Sequence, residues 1–284
     1  MTGTGRAIDH VVLATRDLDG AAGIYQSVGF TLTPRAAHTD RMGTSNRLAQ
    51  FVEENFIELL EVDRPATLVP HDLSQAPPFF SFGAFNRDFL DRREGVSMLV
   101  FESGNARADL ARFQAAGTTA YAPFDFDRLA RLPGGDEVTV SFSLGFATSP
   151  DMPHTAFFVC QNRAREHFWK PPYQAHANRA TGLRAVYLAS PEPQRDAAFI
   201  GSLFGGELAA IPDGMSVRCG ERQEVRVLAP EAIARKDPSF RADRSLGPLL
   251  AGVAVRTEDA GLQAIPSERA CGMFLEWIVE PAAT

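Results

Sequence analysis

Near the start of the chain the apolar side chains change their spacing once, and that change separates two elements. Ile8, Val11, Val12 and Leu13 crowd a stretch short enough for a strand. Ala21, Ile24, Tyr25 and Val28 then recur at i, i+3, i+4 and i+7, the period of a helix with one apolar face. Asp17 or Asp19 stands where an N-cap belongs, and Gly29 where the helix must stop. Three β-like stretches follow, "FTLTP", "NRLAQFVEE" and "NFIELLEV", separated by turn-forming or charged residues. The order is βαβββ.

The same order returns. "GVSMLVFES" precedes a helix over "NARADLARFQAAG" with Leu110 and Phe113 inward, then strands at "TVSFSLGFA" and "HTAFFVCQ". A third copy opens with "LRAVYLAS", where Ser190 is the expected cap and Pro191 the first-turn residue of a helix through Phe199, Ile200, Leu203 and Phe204. Strands near "GMSVRCG" and "EVRVLAP" complete it. The last copy is shorter: "PLLAGVAVRT", a helix of a couple of turns at most between Asp259 and Ile265, and "GMFLEWIVE". A recurrence of roughly 85 residues is too long for an ordinary solenoid and points to duplication of a small α+β unit whose sheets must pair to bury a face. "FWKPPYQAHANRATG", Phe168 to Gly182, is rich in Pro, Asn and Gly without periodicity, so it is read as a connector. It divides residues 1–167, with units at about 7–62 and 95–161, from a shorter domain over 183–284. The Phe-rich "APPFFSFGAFNRDF" between units one and two is either core or a greasy lid over a cavity.

Composition narrows the classes of function. With 284 residues and 45% apolar content the chain can bury real cores. A net charge of −7 without a Lys/Arg cluster argues against nucleic acid as a partner. Cys160, Cys219 and Cys271 are few, odd in number and without CxxC spacing, which speaks against a disulfide framework or a thiolate zinc site and for a reducing cytoplasm. The N-terminal stretch has no basic start followed by an apolar run, and no segment is long and apolar enough for a membrane helix, so neither export nor a membrane is expected. Ser45 lacks a GxSxG elbow and no cysteine neighbours a histidine in sequence, leaving nucleophilic catalysis without support.

"DHVVLATRDLDGAAGIYQSVGF" and "FIELLEV" resemble the first unit of the vicinal oxygen chelate superfamily, which includes glyoxalases, extradiol dioxygenases and bleomycin-resistance proteins. "GTSNRLAQF" and "FWKPPYQAHANRATG" are similar to its glyoxalase-like domain subfamily. The resemblance covers about the first 180 residues. It implies an α+β fold in which βαβββ units pair into two curved mixed sheets, the fourth unit truncated, with a cup between paired units. In that superfamily the first and last strand of each unit can each supply a metal ligand, and the matching positions here are His10 and Glu58. The second unit departs from the pattern, with Met98 and Phe158 at those positions; the third has Ala185 at the first, and the fourth has Ala251 and Glu276.

Each candidate has a plainer reading. His10 is a ligand or a core histidine beside Ile8 and Val12. Glu58, flanked by apolar neighbours on both faces, needs a compensator: a metal, Arg47 on the next strand, or a proton. A third donor would be His154, if its segment is extended onto the Phe158 face, or His38 in the loop before "MGTSNR". His176 and Asn178 are read as turn formers. Two functions follow. In the first, a divalent metal (Mn, Fe, Ni or Zn) on His10, Glu58 and His154 or His38 polarises vicinal oxygens of a small substrate in an isomerase, lyase or dioxygenase, with Glu58 as general base and His38, Asn46 and Arg47 as substrate contacts. In the second, a metal-free protein sequesters a small molecule in an apolar cup lined by Met98, Phe158 and the phenylalanines between residues 79 and 89. Either form can be a homodimer, and the cup can form within one chain or between two.

Overall fold

The structure, a computed structural model, describes residues 5–119, 121–132 and 134–280. Residues 1–4, part of the N-terminal stretch read for a leader, lie outside the described residues. Unit one comprises β1 (Ile8–Ala14), α1 (Leu18–Ser27), β2 (Ala36–Ala37), β3 (Ser45–Gln50) and β4 (Phe56–Glu61), and is followed by α2 (Phe82–Leu90). Unit two comprises β5 (Gly95–Glu102), α3 (Ala106–Ala115), β6 (Phe124–Arg131), β7 (Glu137–Thr148) and β8 (Ala156–Asn162). Two short helices, α4 (Arg165–Phe168) and α5 (Pro171–Gln174), lead into unit three: β9 (Ala180–Ala189), α6 (Pro193–Phe204), β10 (Leu208–Ile211), β11 (Gly214–Cys219) and β12 (Gln223–Leu228). After α7 (Pro230–Lys236), the truncated fourth unit contributes only β13 (Leu249–Thr257) and β14 (Phe274–Val279).

Units one and two form one eight-stranded sheet in the order β2-β3-β4-β1-β5-β8-β7-β6, so the strand order of unit two repeats that of unit one outward from the antiparallel β1–β5 junction, as a pseudo-twofold axis there requires. Units three and four form a six-stranded sheet, β10-β11-β12-β9-β13-β14. Both are mixed: β1 runs parallel to β4 and antiparallel to β5, and β9 stands in the same relation to β12 and β13. The first sheet curls until its edges meet, bringing His38 after β2 edge-on to Phe126 of β6 with ring centroids 5.8 Å apart. The cup is thus built within a single chain. A large core joins one face of each sheet to α1, α3 and α6; Phe101 stacks on Phe204 at 3.9 Å, tying β5 to α6 across the two halves. A second cluster lines the first cup, and a third fills the concavity of the second sheet with Ile233 of α7, Phe240 and Leu246.

Local signals explain most boundaries. Asp17 is the cap of α1, accepting the Gly20 N–H at 2.9 Å, so Asp17→Ala is expected to cost about 1 kcal/mol in denaturant unfolding. Ser190 does not cap α6: its hydroxyl bonds Asp196, the cap passes to Glu192 and Pro193 takes the first turn. "FTLTP" is not a strand, because Thr33 meets Leu48 through both its backbone N–H and its hydroxyl, and the pairing edge falls instead at Ala36–Ala37. Residues 259 to 265 form no helix; a short 3-10 turn follows at Ser267–Arg269. The Phe-rich segment carries α2, capped by Ser81, which donates Phe82 to the cup and buries Phe89 beside Ala14. His176 and Asn178 close the connector onto unit one, His176 by bonding the Gln50 carbonyl at 2.7 Å and the Thr31 N–H at 3.0 Å, and Asn178 through the Val28 carbonyl at 3.0 Å.

Candidate functional site

β1 and β4 lie side by side with His10 opposite Phe56 and Val12 opposite Glu58. β5 and β8 repeat that register with Met98 opposite Ala156 and Val100 opposite Phe158. His10 and Met98 are therefore equivalent positions, as are Glu58 and Phe158, and at these positions only unit one carries polar side chains. In the last unit the register sets Gly252, not Ala251, opposite Phe274 and two residues before the partner of Glu276. Glu276 serves the second sheet, where it bonds Tyr187 and Lys236 and takes no part in the first cup.

His10 and Glu58 are each 4% exposed. His10 stacks on Phe56 with centroids 4.2 Å apart and meets Phe158 edge-on at 5.6 Å. Its Nδ1 is tied to the neighbouring Asp9 carboxylate, which leaves Nε2 facing Glu58 Oε2 at 3.6 Å. His38 is held the same way from the other side: Nδ1 is 2.8 Å from the Thr44 hydroxyl, and Nε2 lies 3.6 Å from Glu58 Oε1. Asn46 donates to Glu58 Oε1 at 2.6 Å, with the same amide nitrogen 3.2 Å from His38 Nε2. Burial pushes the Glu58 carboxyl above its ordinary range, against the opposing pull of His10 and the Asn46 hydrogen bond. Burial likewise holds His38 well below the usual imidazole value, helped by Arg128, Arg64 and His10, so it is neutral at pH 7.

Around this polar floor stand Phe56, Phe82, Phe126, Phe142, Phe158 and Phe168, with Arg128 of β6 in the wall. The space left for the centre of a water-sized sphere is about 40 Å³, room for a few waters and too little for a substrate without movement of the aromatic wall.

Several sequence-derived candidates lie elsewhere. His154 is in the turn before β8, beside Arg92 and Asp243 and outside the lining of the cup. β8 starts only at Ala156, since Pro153 cannot donate to a ladder and Thr155 turns its hydroxyl to the Pro248 carbonyl. Arg47 points to the helical face of β3 and pairs with Asp19 at 3.1 Å, so it neither compensates Glu58 nor faces the cup. Met98 is buried on the cup side but lies outside the lining, its sulfur 3.9 Å from the Asn86 amide. Asp9, Thr44, Phe126, Phe142 and Arg128 escaped the sequence reading; the adjacent Asp9-His10 pair was the one local sign, since a carboxylate beside a ligand-type histidine is a common orienting partner.

Among the described residues, no three His, Cys, Asp or Glu side chains are already gathered tightly enough to form a metal centre. His10, Glu58 and His38 come nearest to one: two imidazoles with Nδ1 tied outward and Nε2 turned to the two oxygens of one buried carboxylate. In donor type and orientation they fit a divalent ion.

A curved mixed sheet built of two βαβββ units joined at their first strands, with His10 and Glu58 on the first and last strands of one unit, is the vicinal oxygen chelate architecture. The chain belongs to the glyoxalase-like domain family, whose model matches residues 8–204. No protein of curated function matches it in sequence. Among solved structures, a hypothetical protein from Staphylococcus aureus superposes with a TM-score of 0.68 over 96% of this chain and 99% of that one, at 14% identity. A mutant 4-hydroxymandelate synthase from Streptomyces coelicolor matches with a TM-score of 0.51 at 12% identity, covering 90% and 72% of the two chains. The Mn(II)-bound glyoxalase from Novosphingobium aromaticivorans gives 0.50 at 13% identity, covering 90% and 67%. At such identities these likenesses speak to the fold. No helix among the described residues is long and apolar enough to cross a membrane.

Proposed function

We propose that the first cup is a metal-assisted enzyme site acting on a small, largely apolar substrate with two neighbouring oxygens, as an isomerase, lyase or ring-cleaving oxygenase. The observation that carries this reading is the convergence of His10 Nε2 and His38 Nε2 on the two oxygens of Glu58 beneath an aromatic wall. His10, His38 and Glu58 would hold the ion, and Asp9 and Thr44 would orient the imidazoles. A divalent ion bound there supplies a Lewis acid for a substrate oxygen. On leaving the ion during turnover, Glu58, buried and hydrogen-bonded by Asn46, is the group that can take a proton from a substrate carbon or hydroxyl and return it. The phenylalanines exclude water and hold the apolar body of the substrate. The three free cysteines suit a reducing, cytoplasmic setting.

Metal content tests the reading. Full-length protein purified without a tag or chelator is expected to retain about one divalent ion per chain by mass spectrometry, and to lose it in His10→Ala and in His38→Ala while circular dichroism stays native. Failure to take up manganese, iron, nickel or zinc on incubation would overturn it. The aromatic cup would then stand as a metal-free binding site, the reading its apolar lining favours.

A further inference from the structure

Arg128 is a cation in an unusual setting. It sits on β6 in the inward series Phe124, Phe126, Arg128 and Ala130, whereas Asp125, Asp127 and Leu129 point outward. Its guanidinium lies over the Phe142 ring at 6.0 Å, and the one hydrogen bond recorded for it is a 3.5 Å contact from Nη1 to the carbonyl of its neighbour Leu129. Its Nε is buried and has no hydrogen-bond partner among the described residues. No carboxylate of the described residues lies within salt-bridge distance of it; Glu58 acts on it through the cup without touching it. Most other arginines around the first sheet are paired: Arg35 with Glu61 and Asp63, Arg47 with Asp19, Arg64 with Asp63.

Arg128 also forms the partition between the cup and a small side cavity on its far side. The two share Leu48, Arg128 and Phe168, and the side cavity adds Lys170, His167 and Tyr173. Lys170 spends its ammonium on a backbone carbonyl, that of Glu166, at 2.8 Å. In a chain of net charge −7, Arg128 and Lys170 of these two cavities thus have no carboxylate within salt-bridge distance among the described residues. A buried guanidinium left with unused donors is costly unless a ligand completes it. Its planar fork matches a carboxylate with two parallel hydrogen bonds.

Resting on the enzyme reading above for the reacting part of the substrate, we propose that the cup takes an organic anion whose carboxylate is held by Arg128 and whose apolar body lies among the phenylalanines. Arg128 is then the residue that selects acids over their neutral analogues. Glu58, which lines the same cavity, faces the part of the substrate that reacts.

The test compares 3-phenylpropionate with its neutral isostere 3-phenylpropanamide, by titration calorimetry on full-length protein stripped of metal. Under those conditions a carboxylate cannot score by binding a metal ion, so the outcome is separate from that of the metal-content experiment. The native protein is expected to bind the acid at least about tenfold more tightly than the amide, the scale of one charge-assisted bidentate pair. Arg128→Gln is expected to abolish the preference while leaving amide binding unchanged, which also shows that its cup is folded. Arg128→Lys keeps the charge but loses the fork and is expected to retain only part of the preference. Equal affinity for acid and amide in the native protein, binding of neither, or a preference that survives in Arg128→Gln would each overturn the assignment.

Discussion

Glu58→Gln is expected to move function and stability in opposite directions: loss of metal retention and at least about a hundredfold loss of turnover, with a rise in Tm of the metal-free protein at pH 7 on the order of 2 °C or more. The carboxylate is buried, with Asn46 donating to one oxygen and no arginine or lysine of the described residues within salt-bridge distance. Its folded pKa is raised above the ordinary 4.5 by desolvation. A group raised on folding favours the native state only while protonated, so its contribution is lost as pH climbs through the folded value. At neutral pH the native protein thus carries a cost that glutamine, which keeps the shape and the acceptor for Asn46, does not. The gain should shrink as pH falls and vanish below about 4.5, where the carboxyl is protonated folded or unfolded. Thermal melts of chelated protein from pH 4 to 8 measure it. A variant less stable than the native chain at pH 7 would show that His10 and His38 compensate Glu58 fully without a metal. Added metal should reverse the order, stabilising the native chain and leaving the variant where it was.

Phe204→Ala is expected to be the most damaging change outside the cup, costing about 3–5 kcal/mol and lowering Tm by roughly 10 °C. Phe204 is 1% exposed, closes α6, stacks on Phe101 of β5, and meets Phe113 of α3 and Phe157 of β8 at 5.4 and 6.0 Å. Its truncation opens a cavity where the faces of two sheets meet, walled by strands that cannot collapse into it. Because both halves use this core, the variant should still melt in one transition by fluorescence and by circular dichroism. Two separate transitions, or a loss under about 1 kcal/mol, would mean that the two halves are covered independently.

The repeat was legible because it is written in local periods. Spacings near 2 and 3.6 mark strands and helices without knowledge of what they pack against, and the βαβββ order follows from their succession. The resemblance to the vicinal oxygen chelate superfamily then put His10 and Glu58 at the ligand positions and Met98 and Phe158 at their counterparts, and the strand pairings show that these positions are equivalent. α2 was there to be read in Phe82, Phe85 and Phe89 behind the Ser81 cap, but an aromatic run serves helix, lid and core equally well.

Which side chains meet across the cup was another matter. His38 reaches Glu58 from a loop closed by Thr44, His154 misses the cup because β8 begins two residues later than an unbroken strand would, and Arg128 faces inward only because β6 curls round to meet β2. Sequence by itself determined the units and their number, since these depend on spacing along one chain, while the two strand positions able to carry a site came from the family resemblance. Tertiary structure alone decided that His38 and not His154 joins them, that Arg47 turns away to Asp19, and that a guanidinium without a carboxylate partner among the described residues stands in the wall of the cup. Those outcomes depend on sheet curvature and on contacts between residues many positions apart, which no local period encodes.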